Sequence, residues 1–254
     1  MVAGLAFLAT AIATVFAQAT GVRWSQTKAP QQGAWTFALV LFALASATLA
    51  MGVSTGWDEG TFRVFYLLGA VLNVPWLALG TVYLLWGRVA GNRTRAFLLV
   101  FSGFAAGVIL SAPIHGTIAR TGGIPKGSDH FGALPRALAG IGSGVGALVV
   151  FAGAVYSAVK FARQRTPGSG SLAGGNALIA LGTLVLSSGG IIQGIAGKDE
   201  AFAISLAVGI SVIYAGFVVA SRGGSARSVS ARRTSLPAKV RGSESTTSTR
   251  VGSL

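Results

Sequence analysis

The 26 charged residues of this chain are spaced so that seven long stretches carry none. These are residues 2–22, 29–57, 64–87, 96–119, 137–159, 166–197 and 201–221, and the shortest is 21 residues long. About 20 mostly apolar residues in a helix cross a bilayer core. Lipid offers the backbone no hydrogen-bond partner, so such a segment must close its own bonds as a helix. The pattern therefore predicts an all-α fold, a polytopic transmembrane bundle of seven helices. Only 10% of the residues are charged, where a soluble domain carries about 25%. The chain has no cysteine, which removes disulfides, thiolate catalysis and cysteine metal sites together.

Basic residues decide the orientation, because cytoplasmic loops are rich in Lys and Arg. They alternate along the chain: Arg23 and Lys28, then Arg63, then Arg88, Arg93 and Arg95. Arg120, Lys126 and Arg136 follow, then Lys160, Arg163 and Arg165, then Lys198, and then seven in the tail. With the N-terminus outside and the C-terminus inside, 15 basic residues lie inside and five outside. Five of the six acids, Asp58, Glu59, Asp129, Asp199 and Glu200, then fall outside, and Glu244 falls inside. The net charge of +14 is thus a topology signal rather than a nucleic-acid surface. Ala17-Gln18-Ala19 matches a signal-peptide cleavage pattern. The preceding residues lack a Lys or Arg, and cleavage would put Arg23 and Lys28 outside, so helix 1 is read as a retained span.

Helices 1–3 and 5–7 read as two copies of one unit, offset by about 140 residues. Val15-Phe16-Ala17 matches Val155-Tyr156-Ser157, Arg23 matches Arg163, and Ala38-Leu39-Val40 matches Ala177-Leu178-Ile179. The loop Gly56-Trp57-Asp58-Glu59 matches Gly197-Lys198-Asp199-Glu200. Repeat 1 covers about 1–88, a linker helix 95–119, and repeat 2 about 135–221. Two three-helix units of the same orientation need one extra helix to return the chain, which gives a parallel 3+1+3 repeat. This layout resembles that of the SWEET and PQ-loop transporters, and the resemblance extends over the whole chain as layout, not motif. There is no Pro-Gln dipeptide at a helix kink, and the seventh stretch has no lysine for a retinal Schiff base. Arginine exceeds lysine 15 to five, and with 37 glycines the chain resembles the multi-pass membrane proteins of high-GC actinobacteria.

Four residues are candidates for a solute path: Asn73, Pro75, Asn176 and Gln193. Proline inside a helix frees a carbonyl one turn back and kinks the helix. The freed group needs a partner, and Asn73 stands beside it. A second proline site, Ser111-Ala112-Pro113-Ile114-His115, predicts another kink near the end of the fourth stretch. An outer-face polar cluster gathers Asp58, Glu59, His115, Asp129, His130, Asp199 and Glu200. The collection of acids outside follows from the exclusion of basic residues there, so no metal site and no cofactor is expected. Gly140, Gly142, Gly144 and Gly146 form two overlapping G-x-x-x-G patterns that suit close helix packing. No Asp, Glu, Lys or Arg lies deep in a span, which argues against a proton-driven pump.

The segment 222–254 is rich in Ser, Thr, Gly and Arg and lacks aromatics, so it is read as a disordered cytoplasmic tail. Its arginines suit anionic lipid headgroups. The remaining partners expected are the bilayer and a small solute or a protein, with no nucleic acid. The chain is read as a non-enzyme of the plasma membrane, a facilitator or transporter of a small neutral solute. The alternative is a non-transporting sensor or scaffold. A polar cavity reaching mid-membrane favours the first, and a bundle filled throughout favours the second.

Overall fold

The computed structural model describes residues 1–118, 123–164, 166, 168–196 and 198–235, and no strand occurs among them. The helices are α1 (Val2–Thr27), α2 (Pro30–Thr55), α3 (Glu59–Phe65), α4 (Asn73–Ser111), α5 (Gly127–His130), α6 (Ala133–Ala162), α7 (Ser169–Ala196) and α8 (Asp199–Ser235). A π-helical stretch, Tyr66–Leu72, joins α3 to α4. Six helical stretches are long and apolar enough to cross a membrane. The third of these, Glu59–Ser111, is 53 residues long.

That third stretch is a hairpin. Gly87 has φ 76° and ψ −172°, a conformation that glycine alone adopts without strain. The Tyr83 hydroxyl donates to Asn92 Oδ1 at 2.9 Å across the turn. Further out, Trp76 Nε1 donates to Ser102 Oγ at 3.1 Å. At the far end Arg63 donates to the carbonyl of Ile109, 46 residues later, at 2.5 Å. A straight helix would separate them by about 69 Å. The two arms, 59–86 and 88–111, are therefore antiparallel. Gly91 lets them meet, since a Cβ there would strike the Tyr83 ring.

Turns follow from local chemistry. Lys28 ends α1 in the left-handed region at φ 51°, and its N–H bonds to the Trp24 carbonyl. Pro30 opens α2, where its missing N–H is no loss. Asp58 caps α3 by accepting the Thr61 N–H at 2.9 Å. The fourth expected span does not kink at Pro113 but ends before it. Ala112, the residue before the proline, is extended at φ −59° and ψ 136°, as the proline ring requires of its neighbour. The linker helix thus ends at Ser111, and residue 119 lies outside the described residues. At the other end of the chain α8 continues to Ser235, past Arg222, while residues 236–254 lie outside the described residues.

Six helices close a ring. α1 packs on α2, α2 on the first arm, the first arm on α6, α6 on α7, α7 on α8, and α8 on α1. The second arm lies outside this ring. Its buried residues are Gly91, Leu98, Ala105 and Ile109, a single narrow stripe. Phe97, Val100 and Phe104 on the same arm are exposed, as suits a lipid-facing surface.

The tightest seam joins α7 to α8. Glycines recur every seven residues at 168, 175, 182 and 189, and again at 209, 216 and 223. Gly175 faces Gly216, Gly182 faces Gly209 and Gly168 faces Gly223. The two numbers of each pair add to 391, which is one fixed antiparallel register. A Cβ on Gly175 would stand 2.6 Å from the Gly216 carbonyl oxygen, so backbone meets backbone there.

Candidate functional site

The first arm and α6 meet at a break in the helix ladder. Inside the π stretch the Asn73 N–H reaches back five residues to the Leu68 carbonyl. Pro75 follows and has no N–H to give. A π insertion and a proline each leave a helix carbonyl without its partner. Ser143 on α6 supplies one, donating to the Ala70 carbonyl at 2.5 Å. Gly142 and Gly146 allow this approach: a Cβ on either would stand about 3 Å from the backbone of Val71 or Val74. Gly140 and Gly144 meet nothing within 4 Å. The two G-x-x-x-G patterns therefore face opposite ways, and only the pair Gly142/Gly146 packs in the bundle.

The contacts Ser143 to Ala70, Gly146 to Val74 and Gly153 to Thr81 keep a nearly constant difference in residue number. The first arm and α6 are thus parallel, and the second arm returns the chain between them.

A cavity of about 80 Å³ lies on the ring axis. Each ring helix lines it, through Thr20, Leu39, Thr81, Ser157, Asn176 and Phe217 among others, and no residue of the second arm does. None of its lining residues is charged. The lining of the first arm runs only from Leu77 to Leu84, in the half nearer the Gly87 turn. That end of the bundle carries Arg23, Lys28, Arg88, Arg93, Arg95, Lys160 and Arg163 in its turns. Leu84, half exposed, and Phe217 are the lining residues of their helices nearest this basic end, so the cavity lies toward it. The Arg23 guanidinium stands 4.6 Å over the Phe217 ring at the rim.

The opposite half is filled. Phe62 stacks on Phe131 at 5.1 Å, Tyr66 meets Phe131 at 4.9 Å, and Trp57 is fully buried against Gly52. The described residues 112–118 and 123–132 lie at this end, as a strap. Its Ile124 is buried, and the Ile124 N–H donates to Asp199 Oδ2 at 2.7 Å. Gln193 Nε2 reaches the Ile124 carbonyl at 3.4 Å. Gly123 is needed there, because a Cβ would collide with the Asp199 carboxylate.

The sequence-derived candidates thus scatter. Of the four solute-path candidates, Asn176 lines the cavity. Asn73 is buried, at 9% exposure, and its side-chain amide has no hydrogen-bond partner among the described residues. Pro75 packs on the α6 glycines, and Gln193 holds the strap at the acidic end. The outer-face cluster is not one constellation. Asp58 caps α3, Glu59 lies 3.9 Å from Arg63, and Asp129 accepts from Ser128. His115 and His130 bond one another through backbone carbonyls: the His115 N–H donates to His130 O at 2.9 Å, and His130 Nδ1 lies 3.1 Å from His115 O. Glu200 starts α8 beside Asp199. Among the described residues no group of three or more His, Cys, Asp and Glu is placed to hold a metal. Thr81 and Ser157 were not singled out in the sequence. Membrane helices hold many Ser and Thr, and only the facing of the helices separates these two from the rest. Compared with known protein families, curated proteins and solved structures, the chain matches none.

Proposed function

We propose that this is an integral protein of the plasma membrane, crossing it seven times with its N-terminus outside and its C-terminus inside. The hairpin at Gly87 supports the seventh crossing, since each arm is long enough to span the apolar core. The gathering of basic residues at the cavity end supports that end as cytoplasmic, where they would also meet anionic lipid headgroups. A parallel 3+1+3 repeat is supported by the ring order, in which α1–α2–first arm and α6–α7–α8 wind alike. Close contacts between α2 and the first arm, such as Ala45 with Gly69, correspond to those between α7 and α8 within a turn when shifted by about 140 residues. The likeness stops at the seams between the triplets. Phe16 meets Tyr214 and Phe217 there, a slip of roughly six to nine residues from the position of the Ser143–Ala70 contact.

The function we propose is passage of a small neutral solute, as a facilitator and not an enzyme. One observation carries it: an uncharged cavity lined by all six ring helices in the basic half of the bundle, with an aromatic cluster in the other half. Such a one-sided cavity suits a carrier in a state facing the basic side. Uptake profiling of a deletion strain against its parent, followed by flux into proteoliposomes holding the purified chain, tests it. Absence of any solute-specific difference in both would reject it. The filled acidic half favours a second reading, a receptor that binds a solute at its cytoplasmic end and passes none.

A further inference from the structure

We propose that the cavity binds a small uncharged molecule with one hydrogen-bonding edge and an apolar face, such as a short aliphatic amide, and rejects ions and polyols. The proposal rests on the reading of the cavity as a solute site. Its basis is where unspent hydrogen-bonding groups lie. Most partly or fully buried hydroxyls of the bundle are consumed by their own helices. Thr10, Thr183, Ser205 and Ser211, for example, donate to carbonyls three or four residues back at 2.6–2.8 Å. Three buried hydroxyls are exceptions, Ser46 on α2, away from the cavity, and Thr81 and Ser157. Thr81 and Ser157 are 8% and 5% exposed, their hydroxyls have no hydrogen-bond partner among the described residues, and both line the cavity.

The first arm, α6 and α7 are ring neighbours, and together they make one polar wall. The Thr81 methyl packs on Gly153, one turn before Ser157, so both hydroxyls belong to one seam. Asn176 stands on the next helix. Its Nδ2 is held by the Leu172 carbonyl at 2.8 Å, which leaves Oδ1 as an acceptor. The wall therefore offers two hydroxyls that donate or accept and one fixed acceptor. The facing wall, from α1, α2 and α8, presents Phe16, Trp35, Leu39, Ile213 and Phe217, a largely apolar surface whose one free donor among the described residues is the Trp35 indole N–H. Thr20 on that side is spent, since it donates toward Ala17 at 3.0 Å and accepts from Thr36 at 3.0 Å.

This two-sided lining selects by cost. An ion would enter without a counter-charge, and an unpaired buried charge costs several kcal/mol. A polyol would turn hydroxyls to the apolar wall, at about 1–3 kcal/mol for each one left unbonded. An amide edge donates and accepts on the polar wall while its alkyl end lies on the aromatics. The volume of about 80 Å³ limits the ligand to a few heavy atoms.

Propanamide, propionate and glycerol are close in size and differ in these properties. Ligand-observed saturation-transfer NMR on the full chain in detergent should show binding of propanamide alone. Thr81→Val and Ser157→Ala should each weaken it by up to about tenfold, the worth of one neutral hydrogen bond. Leu39→Trp fills the cavity and should abolish it, which separates cavity binding from partition into micelles. The melting temperature of each variant without ligand reports folding. Equal or tighter binding of propionate or glycerol, binding that survives Leu39→Trp, or no binding to the folded wild type would each overturn the proposal. Binding of propanamide without flux in proteoliposomes would support the site while removing the transport reading.

Discussion

The Ser143 hydroxyl donates to the Ala70 carbonyl at 2.5 Å, and so α6 supplies a hydrogen bond that the first arm cannot make for itself. The ladder fails at this place because Pro75 follows a π stretch. Removing the hydroxyl leaves a carbonyl unpaired in an apolar setting. Ser143→Ala should lower stability by about 1 kcal/mol, within the range measured for polar contacts between membrane helices. Ser143→Thr should keep most of it. Thermal melting of the purified chain in detergent checks both. Equal melting of all three proteins would mean that Ala70 finds another donor.

Asn73 behaves in the opposite sense. Its side-chain amide is without a hydrogen-bond partner among the described residues, and it does not line the cavity. Replacing an unpaired buried polar group by an apolar one of similar size is neutral or stabilising. Asn73→Leu should therefore melt at the same or a higher temperature, with solute flux unchanged. A fall in flux at an unchanged folded amount would put Asn73 on the path after all.

The glycines of α6 and α7 should divide by facing. Gly182→Val must push against the Gly209 carbonyl and Ile213, and overpacking of this kind costs about 1–3 kcal/mol or more. Gly146→Ala strains the backbone of Val74 in the same way. Gly140→Ala and Gly144→Ala meet open space and should be silent. Steady-state levels in membranes, compared with melting, provide the readout. Silence at Gly182 would show that the α7–α8 register is not as close as described.

The chain has no cysteine, so single cysteines report topology without background. Thr61→Cys and Ser128→Cys should react with an impermeant maleimide in intact cells, whereas Ser25→Cys should react only after lysis. Reporter fusions after Arg95, Arg165 and Arg233 should all signal cytoplasm. An external signal at Arg165 would rule out this orientation.

Asp199→Ala should free the strap, because its carboxylate holds the Ile124 N–H. The expected result is faster amide exchange at Ile124 and easier proteolysis of 112–132, with the ring helices unaffected. Unchanged exchange would assign the strap's hold to Phe131 and its aromatic neighbours instead.

Spans were legible in the sequence because lipid excludes charge, and that rule acts residue by residue. The stretch 64–87 even ends at the glycine that turns the chain. The seven-residue glycine spacing of α7 and α8 was also on view, yet spacing alone does not name the partner face. What could not be read was every feature created by helices meeting. Thr81 and Ser157 differ from other hydroxyls only in where they point. Ile124 and Asp199 are 75 residues apart, and nothing local couples them. Asn73 and Asn176 look alike in sequence and lie in different surroundings once the helices are placed.

The parallel run of the first arm and α6 sets a parity condition on the chain. Two segments that point the same way must be separated by an odd number of passages through the layer, and the second arm is the one that satisfies it. Its contribution is to direction, since it gives the cavity no side chain. On the proposed topology, a chain lacking it would insert α6, α7 and α8 upside down, with Ser157 and Asn176 carried to the face opposite Thr81. The polar wall exists only because this outlying helix is there to be counted.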